Sequence, residues 1–370
     1  MEKGNGGIAD MGNMEHTPVV KEVTKYHMGK VHGNAKRNEE MVMNYLKLLA
    51  NGIVKKRLSP HEAHIIRERK KRLENCNRFW SMETYEASHV RVLLRTFLCK
   101  DKFCSNCNQV KKMLLQNRFL PYMEQYKDSL YHMVLTVPDC NGEELRGTIQ
   151  HMAYCFKTLV TYLNGNKKVK GVDLSQYGFQ GCIRSLEVTY REDVYHPHFH
   201  VAVVFGNNGI GEKHIANQFS GIESRLFSDF ETIIQRIWWL LVNQKRLTSD
   251  NILGEDNSFQ RYSCIVDKFQ PEDYKKLFGY MTKMYSEDNS RMRYDNFKTL
   301  YSALSHIRQI QSYGVFYNVK ELNTEAYTEQ EYQTLESYLV CKEKPVCSYE
   351  PLSRLSGDER YIVLKTKHRK

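Results

Sequence analysis

Hydrophobic positions along this chain switch between a period near 3.6 residues and short apolar or alternating runs, which predicts a mixture of helices and strands. The clearest helical stretch is 143–165, where Leu145, Ile149, Met152, Phe156, Leu159 and Tyr162 recur at helical spacing and define one apolar face. Residues 226–244 predict a more strongly apolar helix, with Trp238 and Trp239 in the core. Further helices are predicted over 109–124, over 271–286 with Pro271 at the start, and over 296–311 ahead of Gly314. Residues 37–74 are helical in pattern and very basic. Within them Ser59-Pro60-His61-Glu62 reads as a helix start, with Ser59 as N-cap, Pro60 at the first position and Glu62 at the third.

Three stretches read as strands. Residues 131–138 form an apolar run stopped by Pro138, and residues 181–190 form a second. The third is His196-Pro197-His198-Phe199-His200, continued by Val201, Ala202, Val203, Val204 and Phe205. Side chains alternate faces along a strand, so His198 and His200 point one way and Phe199 the other. Two imidazoles on one face make a divalent-metal site. Residues 191–195 are polar turn material. Pairing as a hairpin about that turn predicts Glu187 opposite His200 and Thr189 opposite His198, which puts Glu187 beside both imidazoles as a third ligand. Two imidazoles and a carboxylate leave positions open for water or phosphate oxygens.

Composition narrows the partner. Lys+Arg total 54 against 43 Asp+Glu, a formal net charge of +11, which suits a polyanion such as nucleic acid. The 24 Tyr include candidate stacking platforms for unpaired bases. No secretory signal and no run of membrane-spanning length is seen, so the expectation is a cytoplasmic chain that keeps its 10 Cys reduced. Clustered thiols there point to metal. Cys99, Cys104 and Cys107 form Cys-x4-Cys-x2-Cys, and an intervening hairpin would bring Cys76 to them as a tetrahedral Zn²⁺ site, with His89 as a fallback ligand. Cys341 and Cys347 have no evident partners in the sequence.

The expected organisation is a disordered leader (1–35), a basic helical segment (36–75) and a Cys-rich zinc and DNA-binding segment (76–126). A catalytic domain (127–320) and a polar, basic C-terminal tail (321–370) follow. On the predicted helix 271–286, Tyr280 has Lys283 at i+3 and Lys276 at i−4, so all three share a face. A flanking ammonium favours tyrosinate and can hold a phosphate oxygen.

These motifs together resemble the replication initiators of rolling-circle plasmids, in the HUH endonuclease superfamily. The first is Val134-Leu135-Thr136-Val137-Pro138, followed by Gly142-Glu143-Glu144-Leu145. The second is His196-Pro197-His198-Phe199-His200-Val201, preceded by Leu186-Glu187-Val188-Thr189-Tyr190. The third is Gly279-Tyr280-Met281-Thr282-Lys283, which is similar to the family's Tyr-x-x-Lys. The Cys-rich run from Phe97 to Cys107 and Tyr313-Gly314-Val315-Phe316 also resemble family segments, so the likeness covers roughly 76–318.

The resemblance implies an α+β fold, with a central antiparallel β-sheet of about five strands flanked by helices, the HUH endonuclease fold. A helical, zinc-knuckle-like region would precede it. It implies nicking of one strand at a plasmid double-strand origin. His198 and His200 would hold Mg²⁺ or Mn²⁺, Tyr280 would be the nucleophile, and Lys283 would assist at the phosphate. The product would be a 5′-phosphotyrosine link and a free 3′-hydroxyl, extended by a host polymerase, with a host helicase as a further partner and no membrane. His196 and Lys276 become candidate DNA contacts. One position departs from the pattern: where some relatives carry a glutamate four residues before the tyrosine, this chain has Lys276. Asp273, Glu272 or Glu287 could replace it, or Tyr274 or Tyr285 could act as a second nucleophile. A single-tyrosine transposase, a mobilisation relaxase and a non-enzymatic zinc-containing DNA-binding regulator are the alternatives.

Overall fold

The computed structural model describes residues 22–23, 25–54, 58–206, 209–216, 225–254, 264–270, 273–280, 292–319, 339, 343–355 and 361–363. A short strand, β1 (Glu22–Val23), leads to two helices, α1 (Lys25–Val54) and α2 (Pro60–Glu74). The hairpin β2 (Phe79–Tyr85) and β3 (Val90–Thr96) precedes α3 (Ser105–Gln125). Next come β4 (Leu130–Thr136), β5 (Cys140–Asn141) and α4 (Leu145–Leu163), then the long hairpin β6 (Gly181–Arg191) and β7 (Val194–Val204). Two short strands, β8 (Ile215–Ala216) and β9 (Leu226–Phe227), are followed by α5 (Asp229–Val242), α6 (Ser249–Leu253) and β10 (Cys264–Lys268). The remaining elements are α7 (Tyr274–Tyr280), α8 (Tyr294–Ala303), β11 (Ile310–Gly314), β12 (Val346–Pro351) and β13 (Tyr361–Val363).

The chain divides into two compact units. The smaller comprises residues 1–33, 77–97 and 323–370, and its described strands form a sheet in the order β1-β13-β3-β2-β12. The larger comprises 34–76 and 98–322, and holds a second sheet in the order β10-β4-β7-β6-β11, with β5 also paired to β7. Every pairing in this second sheet is antiparallel.

Residues directly opposite each other share a face. His198 lies opposite Glu187 and Thr136, His200 opposite Ser185 and Val134, and Ala202 opposite Ile183 and His132. The alternate residues Phe199, Val201 and Val203 face the other layer, in a buried cluster with Phe156 of α4, Trp238 of α5 and Phe297 of α8. Leu145, Ile149, Met152, Phe156 and Leu159 are all buried, as the helical period predicts. On the histidine face, Ile183, Ala202 and Val204 cluster with Phe119 and Met123 of α3 and with Leu277 and Phe278 of α7. The sheet is thus covered on both faces, and α7, which ends in Tyr280, packs on the same face that carries His198 and His200.

Phe199 ties the first layer together. Its ring sits 5.6 Å from Phe156 and 6.3 Å from Trp238, with the Arg184 guanidinium 4.3 Å from its centroid. Phe199→Ala is expected to cost about 3–5 kcal/mol, since a fully buried ring leaves a cavity its neighbours fill only in part. Denaturant unfolding of the variant would measure this, and a loss below about 1 kcal/mol would refute the packing described.

The structure revises several expectations. Helix α1 begins at Lys25, inside the stretch expected to be a disordered leader. Met41, Tyr45 and Leu49 bury its later turns in the core, but nearer its start the contacts are polar, which hydrophobic period does not reveal. Asn34 Nδ2 donates to Gln109 Oε1 at 2.7 Å, and buried Asn38 accepts from the Ser105 N–H at 2.9 Å. The Cys-rich segment 76–126 is not one piece either. Residues 77–97 belong with the tail in the smaller unit, because β2 and β3 find their partners in β12 and β13. The polar, basic tail therefore contributes strands, at 346–351 and 361–363. The predicted helix 296–311 stops at Ala303, and Ile310–Gly314 pairs instead with β6. The start of α2 follows the sequence: Glu62 N–H donates to Ser59 Oγ at 3.2 Å, and the Glu62 carboxylate accepts from Ser59 N at 2.8 Å. No helix among the described residues is long and apolar enough to cross a membrane.

Candidate functional site

The β6–β7 hairpin turns on two residues, Glu192 and Asp193, with Arg191 opposite Val194. Glu192 takes φ +53°, the left-handed backbone that such tight hairpin turns require. This turn is tighter than the polar stretch 191–195 implied. The register accordingly moves by two residues: Glu187 lies opposite His198, not His200, and Thr189 opposite His196. A shift of two preserves the face, so Glu187 still meets both imidazoles.

One carboxylate oxygen, Glu187 Oε2, lies 3.0 Å from His198 Nε2 and 2.9 Å from His200 Nε2. All three residues are buried. Burial pushes the Glu187 carboxyl up, but hydrogen bonds from His198 and His200 outweigh it and hold the group down at about 2. His198 Nδ1 lies 3.1 Å from the His196 carbonyl oxygen, which can only accept, so Nδ1 carries a proton. Its Nε2 therefore faces the carboxylate either as part of an imidazolium or as a lone pair with a cation between. Both states fit the spacing, since 2.9–3.0 Å is also an ordinary N–H···O distance. Octahedral bonds of about 2.1 Å place neighbouring donors about 3.0 Å apart. Ser185 Oγ, fully buried on the same face opposite His200, has no hydrogen-bond partner among the described residues, as a group lying beside an ion's water would.

His132 carries no motif that marks it in the sequence. Its Nε2 lies 3.1 Å from His200 Nδ1, and the two rings stack at 5.3 Å with 14° between planes. Burial pushes its pKa down to about 4, helped by the neighbouring His200, so His132 is neutral near pH 7. A histidine on a strand gave the only signal, and which side of the sheet it joined depended on inter-strand register. His196 stands on the same face at the more exposed end, its Nδ1 2.5 Å from Asp139 Oδ1.

The second cluster is Cys76, Cys99, Cys104 and Cys107, whose sulfurs all lie within 4.8 Å of one another. Cys76–Cys107 and Cys99–Cys107 are 3.6 Å apart and Cys76–Cys104 is 3.4 Å, far beyond a disulfide bond. A tetrahedron of zinc–sulfur bonds of about 2.3 Å has edges of about 3.8 Å, close to these separations. Backbone N–H groups of Lys100 and Cys107 donate to Cys107 Sγ (3.1 Å) and Cys104 Sγ (3.4 Å), as thiolates require. Hydrogen bonds from Cys104, then Cys76 and Cys99, hold the Cys107 thiol far below its ordinary value. His89 is not in the cluster; it lies exposed in the β2–β3 turn with φ +52°. Cys347 is exposed, and Cys341 lies outside the described residues.

Tyr280 is the last residue of α7, and Lys283 lies outside the described residues. Lys276 is exposed and 2.5 Å from Asp273, an ion pair one turn apart. Tyr274 is buried against Phe269, ring centroids 5.3 Å apart, which leaves it a core side chain. Glu272, Tyr285 and Glu287 lie outside the described residues.

An antiparallel sheet that gathers two imidazoles and a carboxylate, beside a separate four-thiol cluster, defines a chain with two candidate metal centres. Comparison with known proteins agrees with the resemblance drawn from the motifs. Residues 90–215 match the model of a family described as replication protein, a span that includes β4, the histidine strand and the three clustered cysteines 99, 104 and 107. The chain is similar to a "Protein rep" of Staphylococcus aureus, 29% identical over 147 residues, covering 38% of this chain and 60% of the relative. A "Protein rep" of a Bacillus species is 30% identical, over 39% of this chain and 46% of the relative. One from Bacillus amyloliquefaciens is 27% identical over 267 residues, 68% of this chain and 72% of the relative. The chain thus spans about half the length of the first two relatives. No solved structure matches it.

Proposed function

We propose that the chain is a plasmid rolling-circle replication initiator with an HUH-type nicking and joining domain. The observation that carries this reading is the convergence of His198 and His200 on Glu187 at about ion-coordination spacing, on the sheet face where α7 also packs. Mg²⁺ or Mn²⁺ held by His198, His200 and Glu187 would polarise the scissile phosphate. Tyr280 Oη then attacks phosphorus, the Oη–P bond forms, and the P–O3′ bond breaks. The phenolic proton passes to solvent, and the departing 3′ oxygen takes up a proton from solvent and leaves as a hydroxyl. Lys283 is assigned to the phosphate, and His196 and Lys276 to flanking DNA. The 5′-phosphotyrosyl link stores the bond energy needed to rejoin the strand at termination. The Cys cluster takes structural Zn²⁺. Origin DNA, a host helicase and a host polymerase are the partners of this reading, in the bacterial cytoplasm.

The test is to incubate the protein with Mn²⁺ and end-labelled single strands of the DNA flanking its own reading frame. A covalent adduct on one strand supports the reading. Binding with no adduct, in Mg²⁺ and Mn²⁺ alike, would favour a DNA-binding regulator.

Two predictions concern the ion. Mg²⁺ is a hard ion that keeps its waters and prefers oxygen donors, so with two imidazoles in the site Mn²⁺ is expected to bind more tightly than Mg²⁺. His132→Ala is expected to weaken Mn²⁺ binding about 10–100-fold, because an outer partner that orients a ligating imidazole is lost. Calorimetric titration checks both, and unchanged Mn²⁺ affinity in the variant would separate His132 from the site.

A further inference from the structure

Helix α3 begins at the Cys cluster and reaches the tyrosine helix. Cys104 is its N-cap, accepting from the Cys107 N–H, so the thiol cluster builds its first turn. Further along, Lys112, Leu115, Phe119 and Met123 recur at helical spacing and define one face of α3. That face lies along α7. Phe119 and Phe278 stack with ring centroids 5.9 Å apart and 10° between planes, and both are buried. Leu115 packs on the same cluster. Two turns nearer the cysteines, the Lys112 ammonium comes up against Gly279: a Cβ at residue 279 would sit 3.2 Å from Lys112 Nζ and 3.8 Å from Cε. Gly279 is buried and immediately precedes Tyr280. The approach is close: a Cβ there would make the ammonium give way by a few tenths of an ångström.

We propose that Lys112 is a positioning residue for the tyrosine step: its ammonium holds the backbone at Gly279 against α3, and so sets where Tyr280 stands relative to the metal-bound phosphate. This rests on the assignment of Tyr280 as nucleophile. Tyr280 directly follows Gly279 on α7, so whatever fixes the backbone at Gly279 also aims the tyrosine. The Phe119–Phe278 stack fixes the helix body, and Lys112 fixes the residue next to the nucleophile. An oxygen displaced by about 1 Å from in-line attack loses on the order of 10²-fold in rate, which makes such a brace consequential.

The experiment compares wild-type protein with Lys112→Met, Lys112→Arg, Gly279→Ala and the Lys112→Met/Gly279→Ala pair. Adduct formation is timed at saturating single-stranded DNA from either side of the reading frame, and DNA affinity is measured on the same strand. Lys112→Met keeps the apolar stem and removes the charge. It is expected to lower the adduct-forming rate at least about 10-fold while DNA affinity and zinc content stay within about 2-fold. Lys112→Arg should recover most of the rate. Gly279→Ala should slow the wild-type protein but have no further effect on Lys112→Met, because both act through one contact. A wild-type rate in Lys112→Met, or additive effects in the pair, overturns the proposal. If wild-type protein forms an adduct that Tyr280→Phe abolishes while Lys112→Met is unimpaired, only this inference fails. If the adduct survives Tyr280→Phe, the nucleophile assignment fails and this inference with it.

Discussion

Tyr280→Phe is expected to abolish the covalent protein–DNA adduct, with strand cleavage falling by on the order of 10⁴-fold or more, as when a nucleophile is removed from an intact site. The substitution deletes one oxygen and keeps the ring. Helix α7 is held by Leu277 and Phe278, both fully buried, so folding should be unchanged. DNA binding should also persist, since protein–DNA binding draws largely on many phosphate contacts and the substitution removes a single hydroxyl. The variant thus separates binding from chemistry. Denaturing gel analysis of labelled single-stranded DNA reads the result directly. An adduct that persists would move the nucleophile elsewhere on the chain. Tyr274 is a poor alternative, because it is buried in the core beside Phe269.

Removal of metal from the Cys cluster is expected to have the largest effect on stability. Structural zinc in small sites contributes about 10–16 kcal/mol of apparent binding free energy, comparable with the whole net stability of a typical domain, about 5–15 kcal/mol. Here the cluster joins the end of α2, the segment after β3 and the start of α3. Asp101 lies between these cysteines and accepts from both Tyr45 (2.9 Å) and Arg69 (2.8 Å), so α1 and α2 are fastened to the same loop. Metal analysis should find one zinc per chain on these thiols. Cys104→Ser, or a strong chelator, should release it and melt α1, α2 and the start of α3 at a temperature where the sheet persists. Circular dichroism would follow the helices, and tryptophan fluorescence would follow buried Trp238 in the sheet layer. A zinc-free protein with an unshifted melting profile would refute the assignment.

Much of the candidate site is legible in the amino-acid sequence. The two-residue period of a strand places His198 and His200 on one face wherever that strand lies. The same parity protects Glu187 from an error in register: the hairpin is two residues tighter than its polar turn suggests, and a two-residue slip leaves every side chain on its own face. The spacing of Cys104 and Cys107 spans one helical turn and needs only local geometry. The intervening hairpin that returns the chain from Cys76 to Cys99 is present as β2 and β3.

What local sequence determined about this protein is what depends on neighbours along the chain: the helix start at Ser59, the apolar face of α4, the faces of the histidine strand and the closeness of Cys104 to Cys107. Tertiary structure decided everything that depends on register between distant segments. His132 meets His200 only because β4 pairs with β7 in one particular alignment. Residues 346–351 and 361–363 become strands because β2 and β3 offer them open edges. Lys112 reaches Gly279 because α3 packs across α7. Period and capping act over one or two turns of chain, whereas these contacts come from packing free energy shared among segments tens to hundreds of residues apart.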